Sequence, residues 1–235
     1  MPTTATITLV TGATKGLGRE TARRLLEAGH TVLLGARDAG RGRRAADELG
    51  TEFLLLDVTD QPGVDATAEQ VRDRYGRLDV LVNNAGVVGP RHPLPEVTAA
   101  EVRATLDTNL LGVVRVTRAF LPLLRNSENP RIVNVSSGTG RLTWQHERGW
   151  PQEHAPPVYS TSKAALTMLT LQYAHALPDI RINAAWPGYT ATDLNDHQGT
   201  QTVTEGTDAI VRLATLPADG PTGTFHGRDG AVPPW

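Results

Sequence analysis

Short β-branched and apolar runs recur along the chain about every 25 residues, each breaking into a turn and then a helical pattern, and few architectures accept that alternation. The first cycle is the most explicit. Residues 6–11 (TITLVT) read as a strand, Gly12-Ala13-Thr14-Lys15-Gly16-Leu17-Gly18 as a turn, and the stretch to Gly29 as a helix. Glycines there let the backbone reverse tightly and approach a ligand closely, while free N–H groups at the helix start attract an anion such as pyrophosphate. The spacing is G-x-x-x-G-x-G rather than G-x-G-x-x-G, so the strand and helix on either side carry the reading as much as the glycines do.

Further strands are expected at 31–36, 52–56, 78–82, 131–135 and 180–185, with a last short one at 223–226. A helix is expected over 61–75, and a capping box at Thr98 and Glu101 opens a long one running to about residue 124, its apolar stripe being Leu106, Leu110, Val113, Thr117, Phe120 and Leu124. A helix bearing Tyr159 and Lys163 and a short one over 204–216 complete the set. The expected fold is α/β, a doubly wound parallel sheet of the Rossmann type. No linker or low-complexity segment interrupts it, so a single domain over 1–235 is expected, with a long loop at 140–157 and a substrate-side segment at 189–216.

In such sheets ligands sit at the carboxyl ends of the strands. Asp57-Val58, the turn Asn83-Asn84-Ala85-Gly86, Ser136-Ser137-Gly138 and Trp186-Pro187-Gly188-Tyr189-Thr190 therefore share one rim with the glycine turn. The second strand ends in Arg37-Asp38. An acidic residue here binds the ribose hydroxyls of NAD, whereas an arginine accommodates the 2′-phosphate of NADP. Arginine comes first, and Asp38 is read as the cap of the following helix. Arg41, Arg43 and Arg44 read as a solvated face, one of them available to a phosphate. Asn109 lies close to the apolar stripe of its helix, where an amide must be hydrogen-bonded: it either ties helix to sheet or holds a water or relay proton.

Tyr159 and Lys163, four residues apart on a helix, share a face at roughly 6 Å. A phenol has a pKa near 10, and a nearby ammonium favours the phenolate, so such a tyrosine can exchange a proton with a carbonyl oxygen or an alcohol. Composition sharpens this. Of the 23 basic residues 21 are arginine, and the two lysines, Lys15 and Lys163, both fall within these motifs, where a compact point charge differs from a planar fork. The chain has no cysteine, which excludes a disulfide scaffold and a thiol nucleophile and fits the cytoplasm. A net charge of -2 without a basic block gives nucleic acid nothing to bind, and neither a membrane span nor a signal peptide is expected.

Taken in order, Thr11-Gly12-x-x-x-Gly16-x-Gly18, Asn83-Asn84-Ala85-Gly86, Asn109, Ser137, Tyr159-x-x-x-Lys163 and Pro187-Gly188 resemble the short-chain dehydrogenase/reductase family over essentially the whole chain. Lys15, Ala36-Arg37-Asp38, Glu205-Gly206 and the ending look most like its carbonyl-reductase-type members. The resemblance implies an NADPH-dependent reductase of a ketone or aldehyde, with an NAD-preferring alcohol dehydrogenase or a non-catalytic dinucleotide sensor as alternatives. Tyr159 would be the proton donor, Ser137 would bind the substrate oxygen, Lys163 would lower the Tyr159 pKa and bind the nicotinamide ribose, and Asn109 would hold a water. NADP(H) would be held by Gly12, Thr14, Lys15, Gly16, Leu17, Gly18, Arg37, Asp57, Val58, Asn84, Ala85, Gly86, Tyr159, Lys163, Pro187, Gly188 and Thr190.

Ser137 and Tyr159 stand 22 residues apart, more than in many members of the family. The loop between them holds Trp144, His146, Trp150 and His154, and no third ligand accompanies the histidines, so no metal is expected. Trp144 and Trp150, with Tyr189 opposite, are read as walls of the substrate pocket; the alternative is that the tryptophans stack on Pro151, Pro156 and Pro157 to fold the loop. Inserted residues beside the Tyr159 helix would hinder subunit pairing, so a monomer is expected, with a homo-oligomer the alternative.

Overall fold

Five strands, β1 (Ile7–Thr11), β2 (Thr31–Ala36), β4 (Val80–Asn83), β5 (Arg131–Val135) and β6 (Arg181–Ala185), are buried along nearly their whole length, as a parallel sheet covered on both faces requires. In the computed structural model, which describes residues 5–146 and 156–232, they join β3 (Glu52–Leu55), β7 (Phe225–Gly227) and β8 (Gly230–Val232) in the order β3-β2-β1-β4-β5-β6-β7-β8. All pairings are parallel except β7 with β8. The register sets Leu9 beside Leu33 and Leu81, and Val133 beside Val82.

Two apolar layers enclose the sheet. On one face Leu9, Leu33, Leu54, Leu81 and Ile132 pack with α3 (Gln61–Tyr75), α5 (Gly112–Arg125) and α7 (Pro157–Ala176), Phe120 at their centre. On the other, Val10, Leu34, Val82 and Val133 meet α1 (Gly16–Glu27), α2 (Ala39–Leu49) and α9 (Asp208–Ala214). The chain winds outward from β1 to β3 and then crosses back to β4. The crevice at which the order reverses therefore opens between the ends of β1 and β4.

The sequence reading differs from the structure at four places. The long helix from Thr98 is not continuous: α4 (Ala99–Leu106) passes through a π-helical turn, Asp107–Leu111, into α5. One additional residue in a turn shifts the phase of everything before it. Thr105 before the turn and Asn109 within it are buried where Leu106 and Leu110 were expected, while Val113, Thr117, Phe120 and Leu124 face the core as read. A short helix, α6 (Leu142–His146), occupies part of the 140–157 loop. The segment read as one helix from 204 is α8 (Val203–Gly206) followed by α9. Strand β8 was not anticipated, being three residues long and opened by glycine. Among the described residues no helix is long and apolar enough to cross a membrane.

Phe120 is fully buried. Phe120→Ala is expected to cost about 3–5 kcal/mol and to lower Tm by roughly 10 °C, measured by calorimetry; a shift under about 2 °C would mean that the layer collapses onto the void.

Candidate active site

Around the crevice, hydrogen bonds bind the first and fourth strands into one rim. Asn84 Nδ2 donates to the carbonyls of Thr11 at 2.9 Å and Gly12 at 3.1 Å, while the Thr11 hydroxyl accepts the N–H groups of Asn84 and Ala85, both at 3.0 Å. The approach leaves no room for side chains. A Cβ on Gly12, whose φ is +64°, would stand 2.9 Å from the Ala85 Cα, and one on Gly18 would stand 2.5 Å from Asn84 Nδ2. Helix α1 then starts at Gly16 with no side-chain cap and no acidic residue in its first turn, so its amide groups and the positive end of its dipole face the crevice.

Beside the turn lies a cavity of about 310 Å³ lined by Thr14, Lys15, Arg41, Arg44, Ala45 and Glu48. Its cations are Lys15, Arg41 and Arg44. Two of the arginines read as a solvated face thus line it, brought there because α2 turns them back toward the glycine loop, whereas Arg37 is exposed at the end of β2 and its charge bears on Asp57. Asp38 caps α2 as expected, accepting the Arg41 N–H at 2.9 Å, and its other oxygen takes Arg41 Nε at 3.1 Å. Asp57 accepts the Thr59 N–H and hydroxyl and is held below the usual carboxylate range by those bonds against the cost of its burial. Val58 is buried.

At the end of β5 the two serines part. Ser136 turns to α7, donating to the Lys163 carbonyl at 3.1 Å, whereas Ser137 Oγ accepts from Thr139 N–H and Oγ1 and stands close enough to Tyr159 to oppose the rise of its phenol pKa. Lys163 shares a face of α7 with Tyr159, its Nζ 5.5 Å from the ring centroid, and donates to the Val135 carbonyl at 2.7 Å. Lys163 is buried and Tyr159 half-buried. Desolvation pushes the Tyr159 phenol up to about 12, with only Ser137 opposing, and brings the Lys163 ammonium down to about 8. The expected lowering of the Tyr159 pKa by Lys163 is therefore reversed, because desolvation dominates and the lysine is turned to a backbone carbonyl.

Asn109 is buried in the π-turn and its side chain is a tie: Oδ1 accepts the Val87 N–H at 2.8 Å, and Nδ2 donates to the Val87 carbonyl and to Ser162 Oγ, each at 2.9 Å. Both amide hydrogens are engaged. Ser162, which the sequence did not single out, donates in turn to the Tyr159 carbonyl at 2.7 Å, so α7 is fastened to the segment after Gly86. A Cβ on Gly86 would lie 3.7 Å from Lys163 Nζ, which brings this turn to the Tyr159 side of the rim.

On the far side, Pro187 is buried, Gly188 takes a φ of +76°, and Thr190 is buried with its hydroxyl on the Pro187 carbonyl at 3.0 Å. Leu17 is half-buried against the Gly206 backbone, and Tyr189 is half-buried with its carbonyl accepting the Gln201 N–H. Trp144 lies in α6, on the loop that follows Ser137. Its ring meets Trp186 edge-on, centroids 4.5 Å apart, over the surface of Gly138, and the Arg141 guanidinium lies 4.3 Å from its centroid. Trp150 lies outside the described residues. Trp186 is the partner that sequence reasoning missed, for nothing in its spacing points to α6.

Residues 6–202 match the family described as short chain dehydrogenase. "Short-chain dehydrogenase/reductase 1" of Saponaria officinalis is 35% identical, over 96% of this chain and 95% of its own length. Among solved structures, salutaridine reductase from Papaver somniferum superimposes with a TM-score of 0.84 at 30% identity, covering 94% of this chain and 99% of that one. NADPH-bound carbonyl reductase from chicken fatty liver gives 0.85 at 26% identity, covering 98% and 99%.

Lys163 titrates near 8 in the fold against 10.5 when free. The unfolded chain thus binds more protons between those values, and stability rises with pH across that window, by about 3 kcal/mol in all. Urea unfolding from pH 7.5 to 10 is expected to show this slope in the native protein and to lose it in Lys163→Met; a slope that survives the substitution would assign it to another group.

Proposed function

The chain belongs to the short-chain dehydrogenase/reductase family, and from that membership we propose that it reduces a ketone or aldehyde with NADPH. The observation that carries the reading is the convergence of Ser137 and Tyr159 at the end of β5, with the buried Lys163 Nζ 5.5 Å from the Tyr159 ring centroid. A dinucleotide fits the rim: the uncapped start of α1 receives a pyrophosphate, and the cavity with Lys15, Arg41 and Arg44 receives a further phosphate. Gly12, Gly16, Gly18, Asn84, Ala85, Gly86, Pro187, Gly188 and Thr190 would shape its bed, and when bound the nicotinamide supplies the hydride.

The chain's own residues supply position and a proton. Ser137 donates a hydrogen bond to the carbonyl oxygen and stabilises the charge that develops there. Tyr159 gives that oxygen its proton. A phenol with a pKa of about 12 stays protonated through the physiological range, which favours reduction, while oxidation of an alcohol needs the phenolate and gains as pH rises. Lys163, cationic below about 8 and 5.5 Å from the ring centroid, would bind the nicotinamide ribose. Three cations around one cavity support NADPH over NADH, and a neighbour named for carbonyl reduction with NADPH bound supports both parts. Trp144, steadied on Trp186 just past the Ser137 strand end, is read as a wall of the substrate pocket opposite Tyr189.

Tyr159→Phe is expected to reduce kcat for carbonyl reduction by about 10²–10⁴ with NADPH affinity kept; more than a tenth of native kcat would rule out the proton-donor role. In the native protein kcat/KM should favour NADPH over NADH by at least about tenfold, since one charge-assisted phosphate contact is worth roughly 1.5–3 kcal/mol. Equal values for the two cofactors would return the reading to an NAD-preferring dehydrogenase.

A further inference from the structure

Lys15 forms part of the wall of the cationic cavity, yet its Nζ donates to Asp193 Oδ2 at 2.5 Å, a partner 178 residues further along the chain. Asp193 belongs to a short turn, Asp193–Asn195, in the segment after β6. That segment is seated against the glycine loop: Thr192 carbon atoms lie within 3.7 Å of where a Gly16 Cβ would stand. It is fixed on its other flank as well. Arg91, in the segment after β4, donates to the Leu194 carbonyl at 2.9 Å and pairs with Asp196 at 3.7 Å, while the Asn195 amide closes on Thr192 N and Thr190 O. Asp193 is thus held where Lys15 finds it, and its second oxygen lies 2.8 Å from His197 Nε2.

An ammonium is a compact charge on a flexible stem, and a carboxylate and a phosphate seeking it from different sides compete. Among the described residues Arg41 and Arg44 have no such partner across the crevice: Arg41 is paired with Asp38 on its own helix cap. Lys15 is the cation of the cavity that is claimed by the opposite wall. We infer that Asp193 is a positioning residue that sets cofactor selectivity, drawing Lys15 away from the nucleotide 2′-phosphate and so lowering the preference for NADPH below what the cavity's cations alone would give. The inference rests on the NADPH reading above. It predicts that a neutral residue at 193 makes the enzyme more selective, the opposite of what a merely structural turn would do.

The experiment is a double-mutant cycle read as dissociation constants of NADPH and NADH, from nicotinamide fluorescence, for the native protein, Asp193→Asn, Lys15→Met and the double variant. Asp193→Asn is expected to raise the NADPH-to-NADH affinity ratio about threefold to fivefold, the scale of an exposed ion pair, with no change in that ratio in the Lys15→Met background. Lys15→Met alone should lower the ratio. If it lowers the ratio while Asp193→Asn leaves it unchanged, reduces it, or raises it equally in both backgrounds, Asp193 does not act through Lys15 and the inference falls alone. If Lys15→Met leaves the ratio at its native value, Lys15 does not hold the phosphate, and the inference falls together with that part of the NADPH reading.

Discussion

The amide of Asn84 is the contact on which most of this architecture leans. It joins the ends of β1 and β4 at the place where the strand order reverses, and a parallel sheet has no local turn with which to fix two such distant segments. Because Asn84 lies against Gly18, α1 can approach only where side chains are missing, and the direction of its uncapped start follows. The same turn carries Gly86, and one residue on Val87 is bonded to Asn109, which in turn holds Ser162 and the first turns of α7. The glycine turn and the Tyr159–Lys163 pair are therefore set by one chain of hydrogen bonds rather than by separate loops.

Desolvation governs the chemistry of the pair. Tyr159 and Lys163 are pushed in opposite directions, the phenol toward staying neutral and the amine toward becoming so. A buried ammonium is tolerated because Val135 offers a carbonyl, and the same contact keeps its charge directed at the strand end instead of the ring. Below the pair the sheet continues polar: Asn83 donates to Asn134, which donates to Thr170 on α7, each at 2.9 Å. Such a fully paired ladder fixes how helix and sheet meet more narrowly than apolar packing would.

Much of this was legible in the residues. Strands β2 and β5 were read to the residue and β1, β3 and β6 to within one, because β-branched runs bounded by turn residues leave little choice. The rim positions followed from topology alone. The site residues that could not be read share a single cause, a partner distant in sequence. Trp186 is explained by Trp144, Arg44 by Lys15, and Ser162 by Asn109. The π-turn is different: Asn109 stands one residue out of step with the apolar stripe, and that mismatch was visible, but period alone does not say whether the helix or the residue yields. Here the helix yields, and a satisfied amide is the gain.

The two lysines differ in exposure as much as in role, the Lys15 side chain being 63% exposed and Lys163 4%. With arginine supplying every other permanently cationic side chain, acylating reagents that attack primary amines meet a single accessible side-chain target, and it stands at the edge of the glycine loop. At the level of side chains, ordinary random labelling thereby becomes site-directed, the α-amino terminus being the other amine to block. A fluorophore, spin label or cross-linker attached through such chemistry would reside beside the cationic cavity without any engineered cysteine, and the remaining surface would stay as it is.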